Sequence, residues 1–212
     1  MELELAEGWV EAELAGDFPE LGLVHTALAA RAVRSPRDVK ERLRALADRY
    51  TGAKVIHMRQ DSVPWAYRVF SRQVGIDPDT DRTPVERIAV ERLRHGGLAS
   101  ENLLDDALTI AIAETGVPVF ALDADRLAGE PGLRLARSGE RLAGVRPLSE
   151  RQLIVADDER ALALVLGDVS HEAGVTRGTE RMLLCALRVK GVPPIAVEEA
   201  LWTAAEIVSP DA

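Results

Sequence analysis

Residues 62–140 read SVPWAYRVFSRQVGIDPDTDRTPVERIAVERLRHGGLASENLLDDALTIAIAETGVPVFALDADRLAGEPGLRLARSGE, and the succession of caps, stops and turns in this stretch decides the fold. Asp61-Ser62 offers a cap with Pro64 near the helix start, Trp65, Ala66, Val69 and Phe70 supply apolar positions, and Gly75 stops that helix. Asp77-Pro-Asp-Thr-Asp81 is a polar turn. Its three acids lack the glycine and the later glutamate that a calcium loop requires at fixed positions. Thr83-Pro-Val-Glu86 is a capping box with proline at the first helical position, and its helix runs to Gly96-Gly97. Ser100 or Asn102 caps a more apolar helix through Leu103, Leu104, Ala107, Leu108 and Ala111, which Gly116 ends. The period then changes. Val117 to Leu122 reads as a strand, Asp123 to Gly129 as a turn, and Leu133 to Ala136 as another strand.

Upstream of this stretch, Val10, Ala12 and Leu14 alternate with Glu11 and Glu13, which predicts a half-buried strand. Leu21 to Leu28 predicts a more buried strand, with His25 as a core or edge histidine. Ser35-Pro36 opens a helix with serine as its cap, and Val39, Leu43, Leu46 and Tyr50 form its apolar face. Downstream, Leu153 to Val155 and Ala161 to Leu166 are short strands. Thr179 to Val189 is an apolar run that periodicity does not resolve into helix or strand. After the break at Pro193-Pro194, a last amphipathic helix uses Val197, Leu201, Ala204 and Val208. Helices cluster between Pro36 and Thr115 with strands on both sides. That segregation predicts an α+β fold, taken as one domain over residues 1–212.

The 26 Lys and Arg against 35 Asp and Glu give a net charge of −9, which disfavours nonspecific attraction to nucleic acid or anionic membranes. The single cysteine, Cys185, permits no disulfide within the chain and fits a reducing compartment. The start, Met-Glu-Leu-Glu-Leu, is acidic where a secretory leader is basic, and no apolar run approaches the ~20 residues of a membrane helix. The expectation is a cytoplasmic protein with no membrane partner. Phosphate-binding loops, dinucleotide fingerprints and a nucleophile elbow are absent. His25, His57, His95 and His171 show no zinc spacing, so neither metal nor cofactor is expected. His171-Glu172 reads as an exposed connector. Arg82, Arg87, Arg92 and Arg94 make the best basic cluster; with Glu86 and Glu91 interleaved it is either a solvated face or a phosphate contact. In its apolar run, Cys185 reads as a small buried hydrophobe.

Several phrases stand in order along the chain: Arg82-Thr-Pro-Val-Glu86, the helix with Asn102 and Asp105, Gly116-x-Pro118, and Asp123 with Leu127 and Gly129. Leu133-Arg134-x-Ala136-x-x-Gly139-Glu140, Leu153-Ile-Val-x-Asp157, Leu166-Gly167 and Val175-x-x-x-Thr179 continue the series. Over roughly residues 64–189 this order resembles the B3/B4 module of the phenylalanyl-tRNA synthetase beta subunit, and still more the freestanding proteins built of that module alone. The resemblance implies an α+β domain with mixed sheets, helices packed on them, and a pocket between two sub-lobes. In the synthetase that pocket hydrolyses tyrosine wrongly attached to the phenylalanine tRNA. It implies tRNA or aminoacyl-tRNA as partner, with Arg82, Arg87, Arg92 and Arg94 against phosphate, and a pocket holding Thr109, Phe120, Asp123, Arg134 and Cys185.

The chain departs from the family pattern at the chemistry. The family phrase Gly-x-Pro-x-His-Ala-Phe-Asp is here Gly116-Val-Pro-Val-Phe120-Ala-Leu-Asp123, so phenylalanine replaces the editing histidine. The family asparagine falls on Thr109, and the family glutamate, six residues after its threonine, falls on Cys185 when counted from Thr179. Phenylalanine makes no hydrogen bond and a thiol only weak ones, so the resemblance implies a pocket for an apolar or otherwise different side chain. Cys185 is then open between nucleophile, pocket wall and core residue. No general base is identified. The readings are an editing-like domain that binds RNA and hydrolyses mischarged tRNA in trans, or a binding module for an amino-acid-like small molecule without nucleic acid or catalysis.

Overall fold

The computed structural model describes residues 3–209, so the start of the acidic leader reading, Met1-Glu2, lies outside the described residues. Short strands β1 (Ala6–Glu7) and β2 (Trp9–Val10) precede helix α1 (Ala12–Asp17) and strand β3 (Gly22–Ala29). Five helices follow: α2 (Arg37–Arg49), α3 (Gly52–His57), α4 (Ser62–Gln73), α5 (Pro84–His95) and α6 (Leu103–Thr115). Then come β4 (Val119–Asp123), β5 (Gly132–Leu135), the hairpin β6 (Arg141–Leu142) and β7 (Arg146–Pro147), β8 (Leu153–Ala156), β9 (Ala161–Leu164), β10 (Arg181–Arg188) and α7 (Pro194–Val208). Among the described residues no helix is long and apolar enough to cross a membrane.

Two four-stranded sheets carry the fold. The first has the order β1-β3-β10-β4 and is antiparallel throughout. The second has the order β2-β5-β8-β9, with β2 parallel to β5 and the remaining pairs antiparallel. The fold is therefore α+β with a mixed sheet, as the segregation of helices and strands predicts.

The unresolved run around Cys185 is β10, the central strand of the first sheet. Its residues Met182 to Leu187 are all buried because β3 and β4 flank it and layers lie over both faces, and such a strand reads as continuous apolar sequence rather than as alternation. Helix α7 packs on β10 and β3, and α6 packs on α7. Val197, Leu201, Ala204 and Val208 of α7 are buried, matching the predicted stripe. A smaller core of Ala136, Leu142, Leu148, Ile154, Ala156, Ala161 and Leu164 lies beneath the β6–β7 hairpin.

Three local expectations change. Val10 to Leu14 is not one strand: Val10 ends β2, and Ala12–Asp17 is a helix that buries Leu14 alone, with Glu11 at its cap and Glu13 on an exposed side. Ser35 does not cap α2. Pro36 occupies that position, and the Ser35 hydroxyl donates to buried Asp106 Oδ2 at 2.5 Å, tying the loop to α6. Trp65 and Val69, expected at apolar core positions, form an exposed ridge one turn apart. Ala66 and Phe70 are buried as expected, and Tyr67, Arg68 and Ser71 complete the buried arc of α4.

Arg68 is buried because it has acidic partners. It bonds Glu86 Oε1 at 2.7 Å and Asp79 Oδ1 at 2.5 Å, while Arg59 Nε reaches Glu86 Oε1 at 2.8 Å. The Glu86 carboxylate also returns to the Thr83 backbone N–H at 3.2 Å, the reciprocal bond of the capping box. Arg68 and the Glu86 carboxylate together thus lock α4, the 77–81 turn and the start of α5. The turn holds itself, with Asp77 Oδ1 accepting from the Asp79 N–H at 3.0 Å. This clamp fixes where Arg82 and Arg87 stand.

Candidate functional site: an apolar pocket beside an arginine-bearing helix

Cys185 and Phe120 are direct register partners, and Cys185 also pairs with His25 on its other side. Cross-strand partners leave an antiparallel sheet on the same face, so His25, Cys185 and Phe120 form one row. Leu187, two residues on from Cys185, shares that face and lines a cavity with Phe120.

This cavity encloses about 100 Å³. Its walls come from five places: Pro84 and Arg87 at the start of α5, Ile112 of α6, Pro118 to Phe120 of β4, Val155 of β8, and Val165 to Gly167 after β9, with Leu187 behind. The β8–β9 ladder slips register at Val155/Ala156, and such irregularities re-aim side chains at sites. The lining is apolar except for Arg87, whose Nη2 donates to the Leu166 carbonyl at 2.7 Å. Leu166 holds φ +62°, a left-handed backbone that costs a residue with a Cβ about 1–2 kcal/mol. Nothing in the sequence around Leu166 signals this.

Two further spaces share walls with the pocket. A narrow neck borders Arg82, Thr83, Val165 and Leu166. Arg82 Nε is buried there with no acceptor among the described residues. Beyond it, a wider groove of about 500 Å³ lies against Asp77, Thr80, Asp81, Arg146, Ser149 and Gln152 and meets the pocket wall at Val165 and Gly167. The three spaces adjoin along Val165 to Gly167, the first lined by apolar residues and the widest by polar ones.

The expected site residues divide. Phe120 lines the pocket and is half-buried, and Arg87 stands at its mouth. Cys185 lies in the same row but is fully buried and lines none of these spaces, and burial pushes its thiol pKa up. Its Sγ points to the Leu183 carbonyl at 3.8 Å. A thiolate nucleophile needs an electropositive, partly exposed setting, so the arrangement is that of a core residue.

Asp123 is buried and occupied: Oδ2 accepts from Thr179 Oγ1 at 2.6 Å and Oδ1 from the Asp125 N–H at 3.1 Å. Arg134 is buried in a two-pronged pair with Glu140, at 2.8 and 2.5 Å. Both act as struts away from the pocket wall. Thr109 lies half-buried on α6, one turn before Ile112, and does not line the pocket. Arg92 turns away, its Nε donating to the Ala47 carbonyl of α2 at 2.7 Å, while Arg94 is exposed. The four arginines therefore do not form one patch.

His25 Nε2 is buried without a hydrogen-bond partner, 3.9 Å from Glu130 Oε1. Desolvation pulls its pKa down, against the opposing pull of the Glu130 charge. Among the described residues no group of three or more His, Cys, Asp or Glu side chains is placed to hold a metal ion.

Two sheets packed by helices, with an apolar pocket between elements of both, define an α+β ligand-pocket domain. A model of the B3/4 domain family matches residues 66–209, more than half of the chain, and the chain belongs to that family. Relatives include phenylalanine–tRNA ligase beta subunits. That of Neisseria meningitidis serogroup A is 33% identical over 123 residues, which is 56% of this chain and 14% of the relative. Those of Methylococcus capsulatus (37% over 119 residues, 53% and 14%) and Leifsonia xyli subsp. xyli (34% over 122 residues, 55% and 14%) are similar. The chain thus spans a small part of the length of these relatives. Every residue lining the pocket falls inside the matched segment.

Proposed function

We propose that the chain recognises the aminoacyl end of a charged tRNA, with an apolar aminoacyl side chain in the pocket under Phe120 and the arginines at the start of α5 toward the phosphates. The observation that carries this is the placement of Arg87 at the mouth of an apolar pocket, with Arg82 in the adjoining neck, within the segment that matches the B3/4 family. Whether it works in trans on mischarged tRNA is part of the same proposal. Arg87 is the sole titratable side chain in the lining. Ester hydrolysis there relies on a water oriented by the substrate and by backbone N–H donors, not on a side-chain base. A tyrosine hydroxyl finds no partner in such a lining, so tyrosine selectivity is not expected.

A second reading has its own support. A lining without carboxylate, imidazole or thiol, in a chain of net charge −9, also suits capture of an amino-acid-like small molecule without RNA or catalysis. One experiment separates the two: deacylation and binding of a panel of correctly and wrongly charged tRNAs across a salt series. Hydrolysis or salt-sensitive binding of a subset supports the tRNA reading, because phosphate contacts weaken steeply with salt. Binding of the free amino acid alone, unaffected by salt, supports the second.

A further inference from the structure

We infer that the apolar pocket prefers a small aliphatic group, of valyl or leucyl size, over an aromatic ring. This names the substrate class of the same site and so rests on the aminoacyl reading above. The apolar pocket holds about 100 Å³, whereas an apolar cavity that takes benzene is about 150 Å³. A six-membered ring therefore either stays partly outside the pocket, with less of its surface buried, or needs the walls to move apart.

The inner walls are held by the core. Val155 and Leu187 are buried strand residues, and Ile112 is buried on α6. Pro118 is ring-locked, and the backbone of Phe120 is fixed by its register with fully buried Cys185. Forcing extra carbons into such a space costs roughly 1–3 kcal/mol, on the order of 10- to 100-fold in affinity.

The neck specifies the neighbouring group. Arg82 Nε, buried and without an acceptor among the described residues, suits a carbonyl or carboxylate oxygen next to the aliphatic part. Arg87 is held by the Leu166 carbonyl, and Leu166 keeps a left-handed backbone to present it. Such stored strain clusters at ligand clamps. The wide polar groove beyond has room for the rest of a larger, polar molecule. The ligand class is an aliphatic acyl ester or amide with a polar body.

The test uses the full chain and non-hydrolysable 3′-aminoacylamido-adenosine analogues carrying valyl, leucyl, phenylalanyl or tyrosyl groups, titrated by calorimetry. Valyl and leucyl analogues are expected to bind on the order of 10- to 100-fold tighter than the aromatic ones. Phe120→Ala should admit the phenylalanyl analogue and erase the preference. Phe120→Leu, which keeps more of the packing, should narrow it, and thermal melts confirm that both variants fold. Equal or tighter aromatic binding by the unmodified chain would overturn the inference, as would a preference that neither variant alters. Salt-sensitive binding of charged tRNA with no binding of any analogue keeps the aminoacyl-tRNA reading and removes the pocket assignment. Loss of both removes both.

Discussion

Replacing Arg134 by methionine separates a structural arginine from a binding one. Arg134 is 3% exposed, and its guanidinium meets both oxygens of Glu140, whose carboxylate also accepts the Arg137 N–H at 2.8 Å. Removing one partner of a buried ion pair costs about 3–5 kcal/mol, chiefly because the other charge stays desolvated. Glu140 is only partly buried and keeps the Arg137 donor, so about 2–3 kcal/mol is the expected loss. In a domain of this size that lowers Tm by about 4–12 °C. Urea unfolding followed by circular dichroism should show a lower midpoint at unchanged m. Arg134→Met with Glu140→Met should recover most of the loss, since no charge is then stranded. The pH dependence gives a second readout. The hydrogen bond from Arg134 is the main cause holding the Glu140 pKa below the ordinary carboxylate value. A group with a lowered native pKa stabilises the fold fully above its unfolded value, about 4.3, and that stability is lost as pH falls through the lower native value. Arg134→Met should flatten this acid limb. A stability change under about 0.5 kcal/mol, together with weakened ligand binding, would refute the strut assignment and return Arg134 to the site.

Three other perturbations follow from the same geometry. Cys185 should resist iodoacetamide in the folded chain and react once urea unfolds it, and Cys185→Ala should leave binding or deacylation unchanged; rapid native labelling would contradict its burial. His25 has a native pKa pulled below its ordinary value, so its neutral form stabilises the fold above about pH 6.5, and that contribution declines as pH falls toward the native value; stability curves for His25→Leu should lack the decline. Glu86→Gln should lower stability by about 2–4 kcal/mol, because Arg59 and Arg68 lose their shared carboxylate, and a shift below about 0.5 kcal/mol would show that the clamp is not needed to hold α5.

Much of the fold was readable where local grammar decides it. Thr83-Pro-Val-Glu86 specifies the start of α5, Asn102 caps α6 through the Asp105 N–H, and Gly96 and Gly116 take the left-handed backbone that ends their helices. Local signals failed where distant partners decide. Val10 to Leu14 alternates like a strand, yet β5 pairs only Trp9 and Val10, and the chain then turns into α1. Trp65 reads as core, but Arg68 takes an inward place because Glu86, eighteen residues on, neutralises it. Site residues divide in the same way. The direct pairing of Phe120 with Cys185 needs the register of β4 on β10, and the anchoring of Arg87 by Leu166 joins residues 79 positions apart. The apolar run already marked Cys185 as buried; that its strand would lie between β3 and β4, and so keep the thiol out of the pocket, took the sheet order to show.

The strand order of the first sheet has a consequence for how the chain comes into being. β10 lies between β3 and β4, so residues translated well after both join two strands that were made before. Until Arg181 to Arg188 arrive, β3 and β4 each present an open, largely apolar edge. Closing so long a loop slows folding, and exposed edges invite pairing with other chains. A nascent or truncated polypeptide ending before β10 would therefore be a sticky intermediate in need of shielding, and the first sheet would form in one late, cooperative step.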